Sequence, residues 1–293
     1  MTVSNTDLIV IGAGPAGISA AVYALRGGFS VRVIGKGGGA LTKTPLIENY
    51  YGLEEPVTGP ELERRGIEQA RRLGADICPD EVTGLGFGEA GGFTVEGRKG
   101  TYTSKAVVLA LGASRQSLNL PGIRELEGRG VSYCAICDAF FYRGRQTAVI
   151  GAGAYALHEA KILEPPTASV TLLTNGQKPP ANVPEGIHVD TRKLAAVEGE
   201  KKVTGVRFED GKTMPMDGVF LAIGTAGSTD LARKIGALTK GNNIAVDEHM
   251  ATNVPGLFAA GDCTGGLLQV VKAAYEGAEA GLSAVRFLRQ SKQ

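Results

Sequence analysis

Short apolar runs that stop on glycine recur along this chain. Residues 7–11 form a β-rich apolar run that closes on Gly12-Ala-Gly-Pro-Ala-Gly17, and the alanine-rich stretch 18–26 after it predicts a helix. Gly27-Gly28 then leads into a second strand, Val31–Ile34. The same grammar returns at Gln146–Ile150, which runs into Gly151-Ala-Gly153-Ala-Tyr-Ala156, a short helix ended by Pro165-Pro166, and a strand over Ser169–Leu173. Three further apolar strands stop the same way: 106–111 before Gly112, 218–223 before Gly224, and 257–260 before Gly261-Asp262. Such exits set ligand-facing loops at the carboxyl ends of a sheet. Residues 61–72 predict a charged amphipathic helix with Pro60 at its start, and 269–289 predict a closing helix.

Each glycine turn follows a strand, opens a helix and leads to another strand. That is the opening β-α-β of a dinucleotide fold, in which glycines let the backbone approach a pyrophosphate at a helix N-terminus. The expected fold class is therefore α/β, with two dinucleotide-binding, Rossmann-like three-layer domains, the second inserted in the first. The expected boundaries are 1–114 with 244–293 for the outer domain and 115–243 for the inserted one.

Composition narrows the function. Lys+Arg number 31 and Asp+Glu 30, a net charge of +1, which argues against nucleic-acid binding by bulk charge. Glycine is the outlier at 43 residues of 293, with no collagen-like period, so the glycines are expected in tight turns and ligand loops. The uncharged run 8–25 is long enough to suggest a membrane helix, but Gly12, Gly14, Pro15 and Gly17 interrupt it. No basic residue precedes that run, so neither a membrane span nor a secretory signal is expected, and the protein is read as cytoplasmic.

Of the four cysteines, Cys78, Cys134, Cys137 and Cys263, two form a Cys-x-x-Cys pair. In a reducing compartment such a pair is half of a zinc site or a redox-active dithiol. Zinc needs two more ligands, and Cys78, Cys263, His158, His188 and His249 show no partner spacing, so no metal is expected. Cys78 and Cys263 read as buried small hydrophobes, and His158 is given no role.

Three segments together resemble the low-molecular-weight thioredoxin reductase family. They are Gly12–Gly17 with Ala20-Ala21-Val22-Tyr23-Ala24, the run Gly130-Val-Ser-Tyr-Cys134-Ala-Ile-Cys137-Asp138, and Pro255-Gly-Leu-Phe-Ala-Ala-Gly261-Asp262. The resemblance spans nearly the whole chain and implies FAD in the outer domain, thioredoxin as the disulfide substrate and a homodimer. It implies that Gly12, Gly14, Pro15 and Ala16 hold the pyrophosphate region and that Asp262, beside Gly261, binds the ribityl chain. Asn49 resembles a flavin-contacting residue, and Lys36, Ala40, Leu41, Val82, Ala110, Gly112, Gln269 and Val270 fall at further FAD-binding positions. By the same resemblance Cys137 lies near the flavin, Cys134 attacks the protein substrate, and Asp138 is the general acid if burial raises its pKa. The adenosine side departs from the dinucleotide signature. Strand 31–34 runs into Gly35-Lys36 and brings no carboxylate for the ribose.

The second glycine loop departs further. After strand 169–173 come Thr174-Asn175-Gly176-Gln177-Lys178-Pro179-Pro180, without the family's His-Arg-Arg run for a 2′-phosphate and without an acid for NADH. Tyr155 puts a bulky ring at the start of the following helix, and Thr-Ala-Gly-Ser-Thr-Asp after Gly224 lacks the usual histidine. The second unit thus reads as a pyridine-nucleotide scaffold without its ligand, most similar to the pyridine-nucleotide-independent, ferredoxin-dependent branch. Electrons falling from about −400 mV in a ferredoxin to about −270 mV in thioredoxin release about 6 kcal/mol per pair. An acidic iron–sulfur partner calls for a basic patch, for which Arg64, Arg65, Arg71, Arg72, Lys36 and Lys43 are candidates. The alternatives are an NAD(P)H-dependent reductase with an atypical site, a flavin-linked dithiol oxidase with a second flavin, and a non-enzymatic redox sensor.

Overall fold

The structure, a computed structural model, describes residues 4–37, 39–89, 91–112, 118–224 and 226–291. Strand β1 (Ser4–Ile11) leads through Gly12–Gly14 into helix α1 (Pro15–Arg26) and strand β2 (Val31–Ile34). Helix α2 (Gly59–Arg72) follows, its first turn capped by Thr58 Oγ1, which accepts from Glu61 N at 3.3 Å. Next come β3 (Asp76–Cys78) and a meander of β4 (Val82–Phe87), β5 (Phe93–Gly97) and β6 (Thr101–Leu109). Leu8, Ile9, Val10 and Ile11 are all fully buried, which is why β1 reads as a continuous apolar run and not an alternating one. Gly12 has φ +117°, and a Cβ there would lie 2.2 Å from Ala110 O. Gly17 has a different constraint: a Cβ would meet Gly12 O at 1.9 Å, so it allows α1 to lie against the strand exit.

The chain then builds a second unit from β7 (Val131–Ser132), the one-turn helix α3 (Ala135–Asp138), β8 (Gln146–Ile150), α4 (Ala154–Leu163), β9 (Ser169–Leu173) and β10 (Ile187–Asp190). Strands β11 (Leu194–Glu198), β12 (Gly205–Phe208) and β13 (Thr213–Pro215) form an antiparallel sheet before β14 (Gly218–Leu221). The parallel sheet runs β10-β9-β8-β14-β7. Leu194, Val197, Val206 and Phe208 of the antiparallel sheet share one buried cluster with Ala148, Ile150, Leu173 and Val219 of the parallel sheet.

The return segment carries α5 (Ser228–Lys234), the hairpin of β15 (Thr239–Lys240) and β16 (Asn243–Ile244), β17 (Leu257–Ala259) and α6 (Val270–Gln290). It completes the first sheet, ordered β3-β2-β1-β6-β5-β4, with β17 parallel to the second half of β6. Gly277 and Gly281 seat α6 on α1: Cβ atoms there would lie 2.1 Å from Ala16 O and 2.5 Å from Ala20 O.

The compact units are Met1–Ser114 with Gly227–Gln293, and Arg115–Ala226. The observed return at Gly227 precedes the expected one at residue 244 because α5 packs on β4. Ser228 Oγ also accepts from Leu111 N at 2.9 Å, and Lys234 Nζ donates to Thr83 O at 3.2 Å. The outgoing boundary near Ser114, Ala113 in the adjoining motif, and Thr225 lie outside the described residues. No helix among the described residues is long and apolar enough to cross a membrane.

Candidate functional site

Gly14 caps α1 with no side chain, and a Cβ there would meet nothing within 4 Å among the described residues. Helix α1 therefore opens on an uncrowded turn whose first N–H groups are available to an anion, with Pro15 and Ala16 in that turn. Gly261 (φ +86°) lies against this turn, since a Cβ on it would fall 2.9 Å from that of Ala16. The Gly261 loop is fixed by Glu276, whose Oε2 accepts from Gly261 N and Thr264 Oγ1 at 2.8 Å each. Lys272 Nζ donates to Gly261 O at 2.9 Å. Asp262, next in the chain, is half-buried, and its carboxylate has no hydrogen bond or ion pair among the described residues. A half-buried acceptor without a partner, beside an open helix start, fits the ribityl and pyrophosphate parts of FAD. Ala110 and Gly112 (φ +75°) form the neighbouring exit of β6.

Other predicted FAD residues gather in two further places on the same unit. Asn49 Nδ2 donates to Gln269 Oε1 at 3.0 Å across 220 positions of sequence. Val270 packs on the small cluster of Leu41, Ile47 and Val57, and Ala40 precedes the 3₁₀ turn at Leu41. Beyond the ends of β2 and β3, Lys36 Nζ lies 3.0 Å from Glu81 Oε2, with buried Val82 next in sequence. Sequence reasoning found no carboxylate after β2; Glu81 reaches that position from the start of β4, a spatial coincidence that no local motif encodes.

The pairing of Lys36 also bears on the expected basic patch. Arg64 and Arg65 both bond to Glu61, at 2.8 and 2.7 Å, and Arg71 bonds to Glu68 at 2.5 Å. The two arginines hold the Glu61 carboxyl down at about 2. Arg71 is thus paired one to one, whereas Arg64 and Arg65 share a single carboxylate, so the charge of this helix face is reduced but not cancelled. The Lys43 side chain lies outside the described residues.

In the second unit Cys134 and Cys137 are disulfide-bonded, with S–S 2.01 Å, at the start of α3. Cys134 is 5% exposed, whereas Cys137 is exposed. Around Cys137 stand exposed Ile136, Phe140 and Phe141, the two rings edge-on at 5.9 Å and Arg143 stacked over Phe140. Asp138 is half-buried, and its Oδ2 accepts from Ser132 Oγ at 2.7 Å. The same hydroxyl accepts from Cys134 N at 3.1 Å, so one serine ties the proton-carrying candidate to the cysteine backbone.

Of the other cysteines, Cys263 is buried, and burial pushes its thiol up to about 11. Cys78 departs from expectation: it is half-buried, its Sγ 3.4 Å from Tyr102 Oη, which donates to Asp80 at 2.8 Å. Among the described residues, no group of three or more His, Cys, Asp or Glu is arranged to hold a metal ion.

The second glycine loop differs from the first in one measurable respect. A Cβ on Gly153, the counterpart of Gly14, would lie 2.9 Å from Gly224 O. Tyr155 is 1% exposed, so its ring is enclosed and not displayed at the mouth as expected. The structure also brings Arg192 near the end of β9, a cation the linear reading missed because it follows β10. Its guanidinium is forked onto Asp190, at 2.6 to 3.1 Å, and stacked over Phe208 at 3.7 Å. Those hydrogen bonds hold the Asp190 carboxyl below its usual range.

The chain matches the family described as pyridine nucleotide-disulphide oxidoreductase over residues 6–278. It is 37% identical over 310 residues to the thioredoxin reductase of Mycolicibacterium smegmatis, covering 99% of both chains. With the thioredoxin reductase of Aquifex aeolicus the identity is 36% over 309 residues, covering 98% of this chain and 94% of the relative. Among solved structures it is similar to the atypical thioredoxin reductase TRi of Desulfovibrio vulgaris Hildenborough, with TM-score 0.92 and 41% identity over 97% of this chain and 98% of that one. It is also similar to a ferredoxin-flavin thioredoxin reductase of Clostridium acetobutylicum, with TM-score 0.72 and 30% identity over 99% of this chain and 100% of that one.

Proposed function

This chain belongs to the pyridine nucleotide-disulphide oxidoreductases and, within them, to the FAD-binding thioredoxin reductases; from that premise we propose that it reduces thioredoxin with electrons from ferredoxin and not from NAD(P)H. One observation carries the choice of donor. A Cβ on Gly153 would lie 2.9 Å from Gly224 O, where one on Gly14 would meet nothing within 4 Å among the described residues, so the second glycine turn leaves less room beside its helix start, which favours the first as the pyrophosphate site. The committed Arg192 fork and the absence of an arginine run after β9 support the same reading.

FAD, when bound, takes up electrons singly or in pairs and delivers a pair to a disulfide. Gly12 and Gly14 with the first turn of α1 would hold its pyrophosphate, Asp262 would accept from the ribityl hydroxyls, and Asn49, Gln269, Leu41 and Val270 would lie toward the ring. Lys36, Glu81 and Val82 would receive the adenosine end.

Once Cys134 and Cys137 are thiols, the Cys134 thiolate attacks one sulfur of the thioredoxin disulfide and displaces the other. Asp138 gives the proton to the departing thiolate. Cys137 then attacks Cys134 in the mixed disulfide, re-forming the internal bond and releasing dithiol thioredoxin, so one electron pair is transferred. Because Cys134 is 5% exposed, this step requires its uncovering, and the exposed rim of Ile136, Phe140 and Phe141 offers the apolar surface a protein substrate needs. A cytoplasmic location accords with free Cys78 and Cys263 beside a reducible pair. Steady-state turnover tests the proposal: reduced ferredoxin is expected to drive thioredoxin reduction and NADPH or NADH to fail. Turnover at comparable rates with either nicotinamide would overturn it.

A further inference from the structure

Glu159 is a buried acid that this mechanism leaves unused. It lies on α4 with 1% exposure, and its Oε2 accepts from Ala135 N at 2.9 Å. Ala135 is the first residue of α3 and follows Cys134 directly. In the same turn Cys137 N donates to Cys134 Sγ at 3.3 Å, and Asp138 N to Cys134 O at 3.2 Å. His158 Nε2 stands 4.0 Å from Glu159 Oε1, and Asp138 is turned to Ser132.

A cysteine at a helix start is ordinarily a stabilised thiolate, because the N–H groups and the dipole favour negative charge there. Stabilising the thiolate stabilises the reduced pair and makes its disulfide a stronger oxidant, the opposite of what a reductase needs. A carboxylate on the Ala135 N–H takes one of those donors and sets a like charge on the residue that follows the attacking cysteine. We propose that Glu159 is a positioning residue that holds the start of α3 while disfavouring the Cys134 thiolate, so that the Cys134–Cys137 pair remains strongly reducing. In the half-reaction disulfide + 2 e⁻ + H⁺ → Cys137 thiol + Cys134 thiolate, Glu159 moves the equilibrium toward the disulfide. The proposal rests on the reductase reading of the dithiol but not on the identity of the electron donor.

The test is a redox titration of the holoenzyme in dithiothreitol buffers, reading the thiol pair by alkylation and intact mass, for wild type, Glu159→Gln and Glu159→Leu. Glu159→Gln keeps an oxygen for Ala135 N and removes only the charge. It is expected to move the equilibrium constant about tenfold toward the dithiol, about 30 mV, and to bring Cys134 alkylation to lower pH. Glu159→Leu removes the acceptor as well and is expected to shift the couple at least as far. A Glu159→Gln couple and alkylation profile equal to wild type, or a shift toward the disulfide, would overturn the proposal. Thioredoxin turnover followed in parallel separates the two claims, because a wild type that fails to reduce thioredoxin refutes the reductase reading while the titration still reports on Glu159.

Discussion

Single side chains decide the chemistry at Cys134–Cys137. Asp138 is tied to Ser132 at 2.7 Å in the second unit, whereas the residues proposed to hold FAD belong to the first, so its role is separable from cofactor binding. Asp138→Asn is expected to slow thioredoxin reduction about a hundredfold with FAD content per chain unchanged; loss of FAD in the purified variant would contradict the assignment. Cys263, buried with its thiol at about 11, is expected to stay unalkylated near neutral pH in reduced native enzyme, while Cys134 and Cys137 react. Labelling of Cys263 before unfolding, read by peptide mass, would contradict that. The sequence singles out Cys134, Cys137, Asp138 and Asp262 as candidates because each sits inside a short local motif. It did not make Glu81, Glu159 or the Asn49–Gln269 contact legible, because each acts through a partner brought to it by the fold.

Elements were legible where one strand feeds one glycine turn. Strands β2, β8 and β9 and helices α1, α4 and α6 follow directly from apolar runs, glycine exits and the Pro165-Pro166 stop. The membership of α5 in the first unit was not legible, because it depends on Ser228 and Lys234 reaching back to Leu111 and Thr83. The seating of α6 on α1 was also hidden, although Gly277 and Gly281 stand four apart on one helix face. Gly281→Val puts branched carbon against the Ala20 carbonyl. It is expected to cost about 1–3 kcal/mol by overpacking and to lower FAD content, because α1 carries the pyrophosphate turn. A calorimetric melt and an absorbance spectrum check both, and an unshifted melt would refute the contact.

At the scale of the whole molecule, the proposed function gives one dinucleotide unit to FAD and leaves the other as scaffold for the dithiol. We infer a homodimer from exposed Val271, Tyr275 and Leu282 along one face of α6, with Tyr23 exposed on α1. Light scattering is expected to give twice the chain mass, and Tyr275→Glu to lower it; a monomeric wild type would contradict this. The central claim, that electrons enter without a nicotinamide, is tested most directly by anaerobic stopped-flow mixing of the oxidised holoenzyme with NADPH, NADH or reduced ferredoxin while flavin absorbance is followed. Rapid bleaching is expected with ferredoxin alone; bleaching by NADPH or NADH within the turnover time would contradict the ferredoxin reading.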